Sequence, residues 1–271
     1  MSAPGVARLE ATFDAAQADG RAALVIYLCA GDPSLDLSAD LLVAAAEAGA
    51  DVLEVGMPFS DPTADGETIQ LASERALAAG ASLPKVLDVV RQTRARTDVP
   101  IILFGYYNPI LRYGEERLVR DAKDAGVDGL LVVDLPPEVA SPLTDPLEAA
   151  DLAYIPLVAP TSTDARIDAA GRAGRAFLYY VSMTGVTGGA AADLAGAAVR
   201  AKSIQDKTGR PVVVGFGVRT AEDVSTLAAH TAGVVVGSAV VRAVAAASDD
   251  EARIAAVRAC VSGLAGGTSR A

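Results

Sequence analysis

The sequence predicts a (β/α)8 TIM barrel, an α/β fold made of one domain over residues 1–271. Three observations support this prediction. Apolar or β-branched runs of strand length alternate along the chain with Ala-rich stretches of helical periodicity. Several of these runs are apolar throughout, which is typical of parallel strands covered on both faces. No linker or change of composition divides the chain, and one α/β barrel commonly takes about 250 residues.

Eight runs are predicted strands, and Gly or Pro usually marks where they begin and end. Eight strands with eight helical connections favour a closed barrel over an open doubly wound sheet. The predicted strands are Ala22–Leu28, Val52–Val55, Pro100–Phe104, Gly129–Val133, Tyr154–Val158, Phe177–Val181, Val212–Phe216 and Val234–Val236.

Two segments of the chain add helices to the minimal repeat of one strand and one helix. Residues 3–20 are expected to form an extra N-terminal helix, and two helices, Ile69–Ala79 and Leu83–Arg96, are expected after the second strand. Gly and Ser are frequent in the tail Gly266–Ala271, so its end is expected to fray. Other helix-like segments between the strands include Ser34–Ala48, Arg117–Ala125 and Ala221–Ala229.

Composition excludes several classes of function. The 34 acidic and 23 basic residues give a net charge of −11, which argues against binding nucleic acid or an anionic membrane through a basic face. Two cysteines and one histidine are too few for a disulfide framework or for most metal sites. Met1–Glu10 has no signal-peptide pattern, and Arg242 interrupts the most apolar tract, Ala232–Ala247. A cytoplasmic protein is expected.

Two carboxylates follow or interrupt the second strand. In a barrel of this type the chemistry takes place on the loops after the C-terminal ends of the strands. Glu54 interrupts an apolar strand, and burial raises the pKa of a carboxyl group and suits it to proton transfer. The alternative is a structural carboxylate paired with a buried base or a backbone donor. Asp65 is the candidate second carboxylate, although Asp-Gly is also common in plain turns.

Glycine-rich loops suggest a phosphate site and a lid. Gly217 follows the seventh strand, and Gly237 with Ser238 follows the eighth, where barrels of this fold usually bind phosphate through backbone N–H groups. Such a site needs no basic cluster, so the negative net charge does not exclude it; the alternative is two tight turns. The segment Gly185–Gly189 is long enough to be a closing lid or an ordinary surface loop.

The segment Leu53–Pro62, continued by Ala64–Gly66 and Ile69-Gln70, closely resembles the signature of the tryptophan synthase α subunit family. The resemblance covers nearly the whole chain, and the Glu–Asp signature and the Gly-Val-Thr-Gly loop are its specific parts. Further matching segments are Gly31-Asp32-Pro33, Tyr106 with Asn108-Pro109, Asp134-Leu135-Pro136, Gly185–Gly188, Gly215–Gly217 and Gly237-Ser238.

The resemblance implies retro-aldol cleavage of indole-3-glycerol phosphate to indole and glyceraldehyde 3-phosphate in tryptophan biosynthesis, without metal or cofactor. It implies that Glu54 protonates C3 of the indole ring and then takes the proton of the glycerol hydroxyl. Asp65 would hold the indole N–H and stabilise the positive charge on the ring. Thr187, in the lid with Gly185, would orient Asp65 when the lid closes.

The resemblance also assigns the groups around the two carboxylates. Tyr106, Tyr179 and Phe216 would border the indole pocket. Gly188, Gly217, Gly237 and Ser238 match phosphate-binding positions. Pro58, Asp61 and Asn108 would contact a β subunit in an α2β2 tetramer.

Four positions depart from the family pattern and are expected near the mouth of the active site. Thr63 stands where an aliphatic residue is usual, Glu67 and Ile26 where Pro is common, and Gly105 where a larger residue is common. Thr63 and Glu67 lie in the loop that contacts the β subunit in the family. Two alternatives therefore stay open, a stand-alone lyase that releases free indole for a specialised pathway and a poorly active scaffold for a β partner.

Overall fold

The computed structural model describes residues 5–181, 193–215 and 217–270. In these ranges parallel strands form one sheet, surrounded by helices. The strands are β1 (Ala23–Cys29), β2 (Val52–Gly56), β3 (Ile101–Gly105), β4 (Gly129–Val132), β5 (Ala153–Tyr154), β6 (Leu157–Val158), β7 (Leu178–Val181), β8 (Val212–Gly215) and β9 (Gly233–Val236). They follow one another in the order β5-β4-β3-β2-β1-β9-β8-β7-β6.

The sheet closes at a break in the predicted fifth strand. That strand consists of two short pieces, β5 and β6, because Pro156 has no N–H to donate to a neighbouring strand. The Ile155 N–H donates to the Leu130 carbonyl at 2.9 Å, and the Tyr179 N–H donates to the Pro156 carbonyl at 3.1 Å. The chain therefore changes partner from β4 to β7 at Pro156. The barrel is confirmed, and the predicted count of eight strands becomes nine in the described residues.

Helices cover the outside of the barrel. They are α1 (Val6–Ala18), α2 (Leu35–Glu47), α3 (Glu67–Ala78), α4 (Leu83–Arg94), α5 (Tyr107–Tyr113), α6 (Glu115–Ala125), α7 (Ser141–Ala149), α8 (Asp164–Ala173), α9 (Leu194–Thr208), α10 (Ala221–Ala228), α11 (Ser238–Ala246) and α12 (Asp250–Ala265). Both predicted extra helices are present, as α1 and as the pair α3 and α4. The short helix α5 was not predicted, since seven residues carry too little periodicity. None of the described helices combines the length and the apolar character that crossing a membrane requires.

The strands divide the core into two layers. On β2, Val52 belongs to the layer inside the barrel, and Leu53 and Val55 belong to the layer between sheet and helices. This alternation places Glu54 on the inner face. Ile26 is fully buried in the outer layer, so the expectation that it lies at the mouth of the site is wrong.

Gly105 lies close to a side chain of the outer layer. A β-carbon at position 105 would lie 2.8 Å from the Met57 side chain, and Met57 packs in the outer core. A larger residue at position 105 would therefore require the end of the Met57 side chain to shift.

The N-terminal end of the barrel is closed by a buried ion cluster. The Asp128 carboxylate accepts hydrogen bonds from the Arg8 and Arg94 guanidinium groups, at 2.9 and 2.8 Å, and from the Ile101 N–H at 2.9 Å. The predicted fraying of the tail is wrong for residues 266–270. The Arg270 guanidinium donates to the Thr231 carbonyl at 2.7 Å, and backbone hydrogen bonds attach the segment to the start of β1.

Candidate active site

Glu54 is a buried carboxyl group on the inner face of β2. It pairs in register with Tyr27 of β1 and with Ile102 of β3, and it is only 1% exposed. Its Oε1 atom has no hydrogen-bond partner among the described residues, so no buried base or backbone donor of those residues pairs with that oxygen. Burial, reinforced by the charge of Asp65, raises the pKa of Glu54 to about 8. This carboxyl group therefore carries a proton at neutral pH.

Asp65 lies in the turn of residues 62–65, between β2 and α3. The turn is closed by a hydrogen bond of 3.1 Å from the Asp65 N–H to the Pro62 carbonyl. Asp65 is 4% exposed, although Thr63, Ala64 and Gly66 are exposed. Burial raises its pKa to about 6, and a hydrogen bond from Tyr106 acts in the opposite direction. At neutral pH Asp65 is ionised while Glu54 is protonated, so one group can donate a proton beside an anion.

Tyr106 connects the end of β3 to the Asp65 turn. Its hydroxyl accepts a hydrogen bond of 3.0 Å from the Ala64 N–H and donates to the Asp65 carboxylate. Its ring packs against Phe59 with 5.1 Å between the centroids. Tyr106 is itself buried, so it holds Asp65 from within the barrel mouth.

Tyr27 belongs to this interior, although sequence reasoning gave it no role. Burial and the charges of Cys29, Asp65 and Glu54 raise its pKa well above the ordinary range. Its ring makes an edge contact with Phe104 at 5.4 Å. A tyrosine in an apolar strand resembles ordinary core, and only the strand register places it opposite Glu54.

Tyr179 lies on the other side of the interior, on β7. It is buried, and burial together with the charges of Glu54 and Asp65 raises its pKa well above the ordinary range. The structure thus brings Glu54, Asp65, Tyr106 and Tyr179 together at one end of the barrel.

Three of the predicted phosphate positions, Gly217, Gly237 and Ser238, follow the neighbouring strands β8 and β9. Gly217 follows β8 with a φ of +87°, a conformation that favours glycine. Gly237 precedes α11, which begins at Ser238 and has no acidic residue in its first turn. The helix N-terminus presents backbone N–H groups and a partial positive charge, which suit an anion. Four other predicted site residues, Gly185, Thr187, Gly188 and Phe216, lie outside the described residues.

The residues predicted to contact a partner lie at the rim of the same end. Asp61 and Asn108 are exposed and Pro58 is half-buried. Thr63 and Glu67, which depart from the family pattern, are also exposed. Within the described ranges, no three His, Cys, Asp or Glu side chains are grouped closely enough to hold a metal ion.

Comparison with known proteins identifies the family of this chain. Residues 13–268 match the family described as tryptophan synthase alpha chain. The chain belongs to the tryptophan synthase alpha chain family. The alpha chain of Geobacter sulfurreducens is 50% identical over 237 residues, covering 88% of this chain and 90% of that protein. The alpha chain of Desulfosudis oleivorans is 51% identical over 232 residues, with coverages of 86% and 88%.

Solved structures of the family share the barrel. The alpha subunit from Legionella pneumophila superposes with a TM-score of 0.88 at 34% identity, covering 96% of this chain and 97% of that one. A chain of Mycobacterium tuberculosis tryptophan synthase gives 0.87 at 37% identity, covering 97% and 99%. The likeness extends over nearly the full length of both chains.

Proposed function

We propose that this chain, as a tryptophan synthase alpha chain, cleaves indole-3-glycerol phosphate with Glu54 as the proton carrier and Asp65 as the stabilising anion. The products are indole and glyceraldehyde 3-phosphate. One observation carries the assignment of roles: two buried carboxyl groups at one end of the barrel have pKa values of about 8 and about 6, on opposite sides of neutrality. The reaction needs one acid and one anion at the same pH.

The first step supplies an electron sink. Indole is a poor leaving carbanion until C3 is protonated. Glu54 delivers its proton to C3, and the positive charge that results is shared with the ring nitrogen. Asp65 accepts a hydrogen bond from the ring N–H and stabilises this charge.

The second step breaks the carbon–carbon bond. The electron pair of the bond between C3 and the hydroxyl-bearing carbon returns to the ring and restores neutral indole. The Glu54 carboxylate takes the proton of that hydroxyl, whose carbon becomes the aldehyde of glyceraldehyde 3-phosphate. Glu54 ends the cycle protonated, so atoms and charge balance.

The rest of the predicted site serves binding. Tyr106 and Tyr179 border the ring, a role also predicted for Phe216. Backbone N–H groups near Gly217 and at the start of α11 would hold the phosphate, together with the Ser238 hydroxyl and Gly188. The position of Tyr106, between the Asp65 carboxylate and Phe59, supports this arrangement.

The family's alpha chains partner with a β subunit, and we place the contact on the rim that carries Pro58, Asp61 and Asn108, in an α2β2 tetramer. Exposure of Asp61 and Asn108 supports this surface. A cytoplasmic location is also proposed, supported by two cysteines that remain free thiols.

Release of indole from indole-3-glycerol phosphate tests the proposal, first with the purified chain alone and then with saturating β subunit. We expect slow release by the chain alone and faster release with the partner. A rate that the β subunit leaves unchanged would support the stand-alone alternative. Activation of the β subunit without any indole release would support the scaffold. No indole release under either condition would overturn the proposed chemistry.

A further inference from the structure

Helix α3 begins two residues after Asp65 and holds the Asp65 turn through one side chain. The Gln70 amide donates a hydrogen bond of 2.8 Å to the Asp65 carbonyl and a longer one, of 3.4 Å, to the Pro62 carbonyl. These carbonyls belong to the last and the first residue of the turn. A single half-buried amide therefore bonds to both ends of the segment that carries the anion.

The turn has few other means of keeping its shape. Thr63, Ala64 and Gly66 are exposed. The N-cap residue is Gly66, which has no side chain to cap the helix. The first helical residue is Glu67, where a proline would restrict the backbone. Besides the closing backbone bond and a bond of 2.9 Å from the Thr63 N–H to the Asp61 carbonyl, the described structure holds the turn through Tyr106, which bonds the Asp65 side chain and the Ala64 N–H. Gln70 holds the backbone from the opposite side.

Gln70 acts from a helix that is itself attached to the barrel. The Arg75 guanidinium makes two hydrogen bonds, of 2.7 and 2.9 Å, to the Asp32 carboxylate after β1. Two residues earlier, on the buried face, the Ser73 hydroxyl lies 4.0 Å from the Cys29 thiol at the end of β1. These contacts fix α3 against β1, and the hydrogen bonds of Gln70 fix the Asp65 turn against α3.

We propose that Gln70 is a positioning residue for the lyase reaction, which keeps the Asp65 carboxylate where it meets the indole N–H. The proposal rests on the role given to Asp65 above. A displacement of about 1 Å at a reacting group can cost about 100-fold in rate. Without the Gln70 amide, water replaces two hydrogen bonds at an exposed turn, and the Asp65 carboxylate moves toward solvent.

This movement has a signature in the pH dependence of the rate. The pKa of Asp65 is raised chiefly by burial, so hydration of the carboxylate lowers it again. The titratable groups that face Asp65 stay in place on the strands when Gln70 is changed. They are Glu54 on β2, Tyr27 and Cys29 on β1, Tyr106 after β3 and Tyr179 on β7.

The test compares Gln70→Met, which keeps the size and removes the donors, with Gln70→Glu, which keeps the shape and adds a negative charge. For Gln70→Met we expect kcat to fall about 10- to 100-fold, with a change in KM of less than about threefold because the phosphate site is separate. The acid limb of kcat/KM should move to lower pH. Gln70→Glu should lose at least as much kcat. The control Glu74→Gln, at an exposed position on the same helix, should change none of these quantities.

A double-mutant cycle separates positioning from a general structural role. In the Asp65→Asn background, Gln70→Met should cause no further loss of the residual rate, because the group it positions is gone. Losses that multiply, or a Gln70→Met enzyme with the kcat and acid limb of the parent chain, would overturn the proposal. If Asp65→Asn alone kept the full rate, the proposed role of Asp65 would fail instead.

Discussion

The hydroxyl of Tyr27 lies beside the α-carbon of Gly56, in the space that a β-carbon at position 56 would occupy. Gly56 is two residues after Glu54 on β2, so both face the interior of the barrel. Tyr179 has the same relationship to Gly215. Two strand glycines thus make room for two phenols, which surround Glu54 with aromatic walls in place of water. This enclosure contributes to the burial that, with the charge of Asp65, raises the pKa of Glu54.

Gly56→Ala should therefore destabilise the protein and lower its activity. The added methyl group overlaps the Tyr27 hydroxyl, and overpacking of this kind costs about 1–3 kcal/mol. Urea denaturation measures the loss, and Tyr27→Phe in the same background should recover part of it because the overlapping oxygen is removed. Gly263→Ala is the matched control, since position 263 on α12 faces open space and alanine favours a helix by about 1 kcal/mol. Equal stability of Gly56→Ala and the parent chain would contradict this account.

Glu54→Gln should lower lyase turnover by at least about 100-fold, the scale of a lost general acid–base group. The amide has nearly the shape of the acid but can neither donate the proton to C3 nor accept one from the hydroxyl. Steady-state indole release measures the change, and binding of a non-cleavable substrate analogue should be largely retained. Turnover close to that of the parent chain would show that Glu54 is not the proton carrier.

The same variant should be more stable than the parent chain at alkaline pH. In the unfolded chain Glu54 loses its proton near its ordinary pKa of 4.5, whereas in the folded chain it keeps the proton up to about 8. Between these values the folded state binds more protons, so the parent chain loses stability as pH rises through this window. Glutamine does not titrate. The stability gained by Glu54→Gln should therefore grow between pH 5 and pH 8, by roughly 2–4 kcal/mol, and a constant difference would contradict the raised pKa.

The two carboxyl groups also predict a bell-shaped profile of kcat/KM. The rate should rise with ionisation of Asp65 near pH 6 and fall with deprotonation of Glu54 near pH 8. Tyr106→Phe removes a hydrogen bond that lowers the pKa of Asp65, so the acid limb should move to higher pH and the rate should fall about tenfold, or about 1.4 kcal/mol. Tyr107→Phe is the control, because the hydroxyl of Tyr107 bonds Glu115 outside the site. An acid limb that stays in place in Tyr106→Phe would remove Tyr106 from this role.

Sequence reasoning predicted those parts of the fold and site that follow from local patterns. Glu54 was recognisable because a charge in an apolar strand is rare, and the alternation of strands and helices gave the barrel. The break at Pro156 was readable in principle, since proline cannot continue a strand ladder. Tyr27 was missed because its partner Glu54 is on another strand, and pairing registers cannot be derived from local composition.

Other features depend on contacts between distant segments. The order of the tail comes from Arg270, which bonds a carbonyl 39 residues away, against the expectation from its Gly/Ser content. Similarly, Gln70 belongs to the family signature, but its local sequence predicts no role for it. Its reach back to the Pro62 and Asp65 carbonyls becomes visible only when α3 is placed against the turn.

The exposed residues Thr63 and Glu67 predict weak activation by a generic β subunit. Thr63 lies in the turn that carries Asp65, and Glu67 follows it. A partner seated there can favour the active arrangement only through contacts that differ between the two states of the turn. Burial of the Glu67 charge in an interface costs free energy unless a base meets it. We therefore expect Thr63→Leu combined with Glu67→Pro to raise the activation of indole release by saturating β subunit above that of the parent chain.

Titration of each chain with β subunit gives the activation ratio and the concentration for half-maximal effect. Glu10→Gln removes one exposed negative charge on α1, far from this rim, and should leave both values unchanged, which separates a local effect from a change in net charge. Strong activation of the parent chain that the double variant does not alter would contradict a specialised interface. If the double variant lowered only the half-maximal concentration, Thr63 and Glu67 would affect the affinity for the β subunit and not the activation. A partner that binds both states of the turn equally well does not change the equilibrium between them.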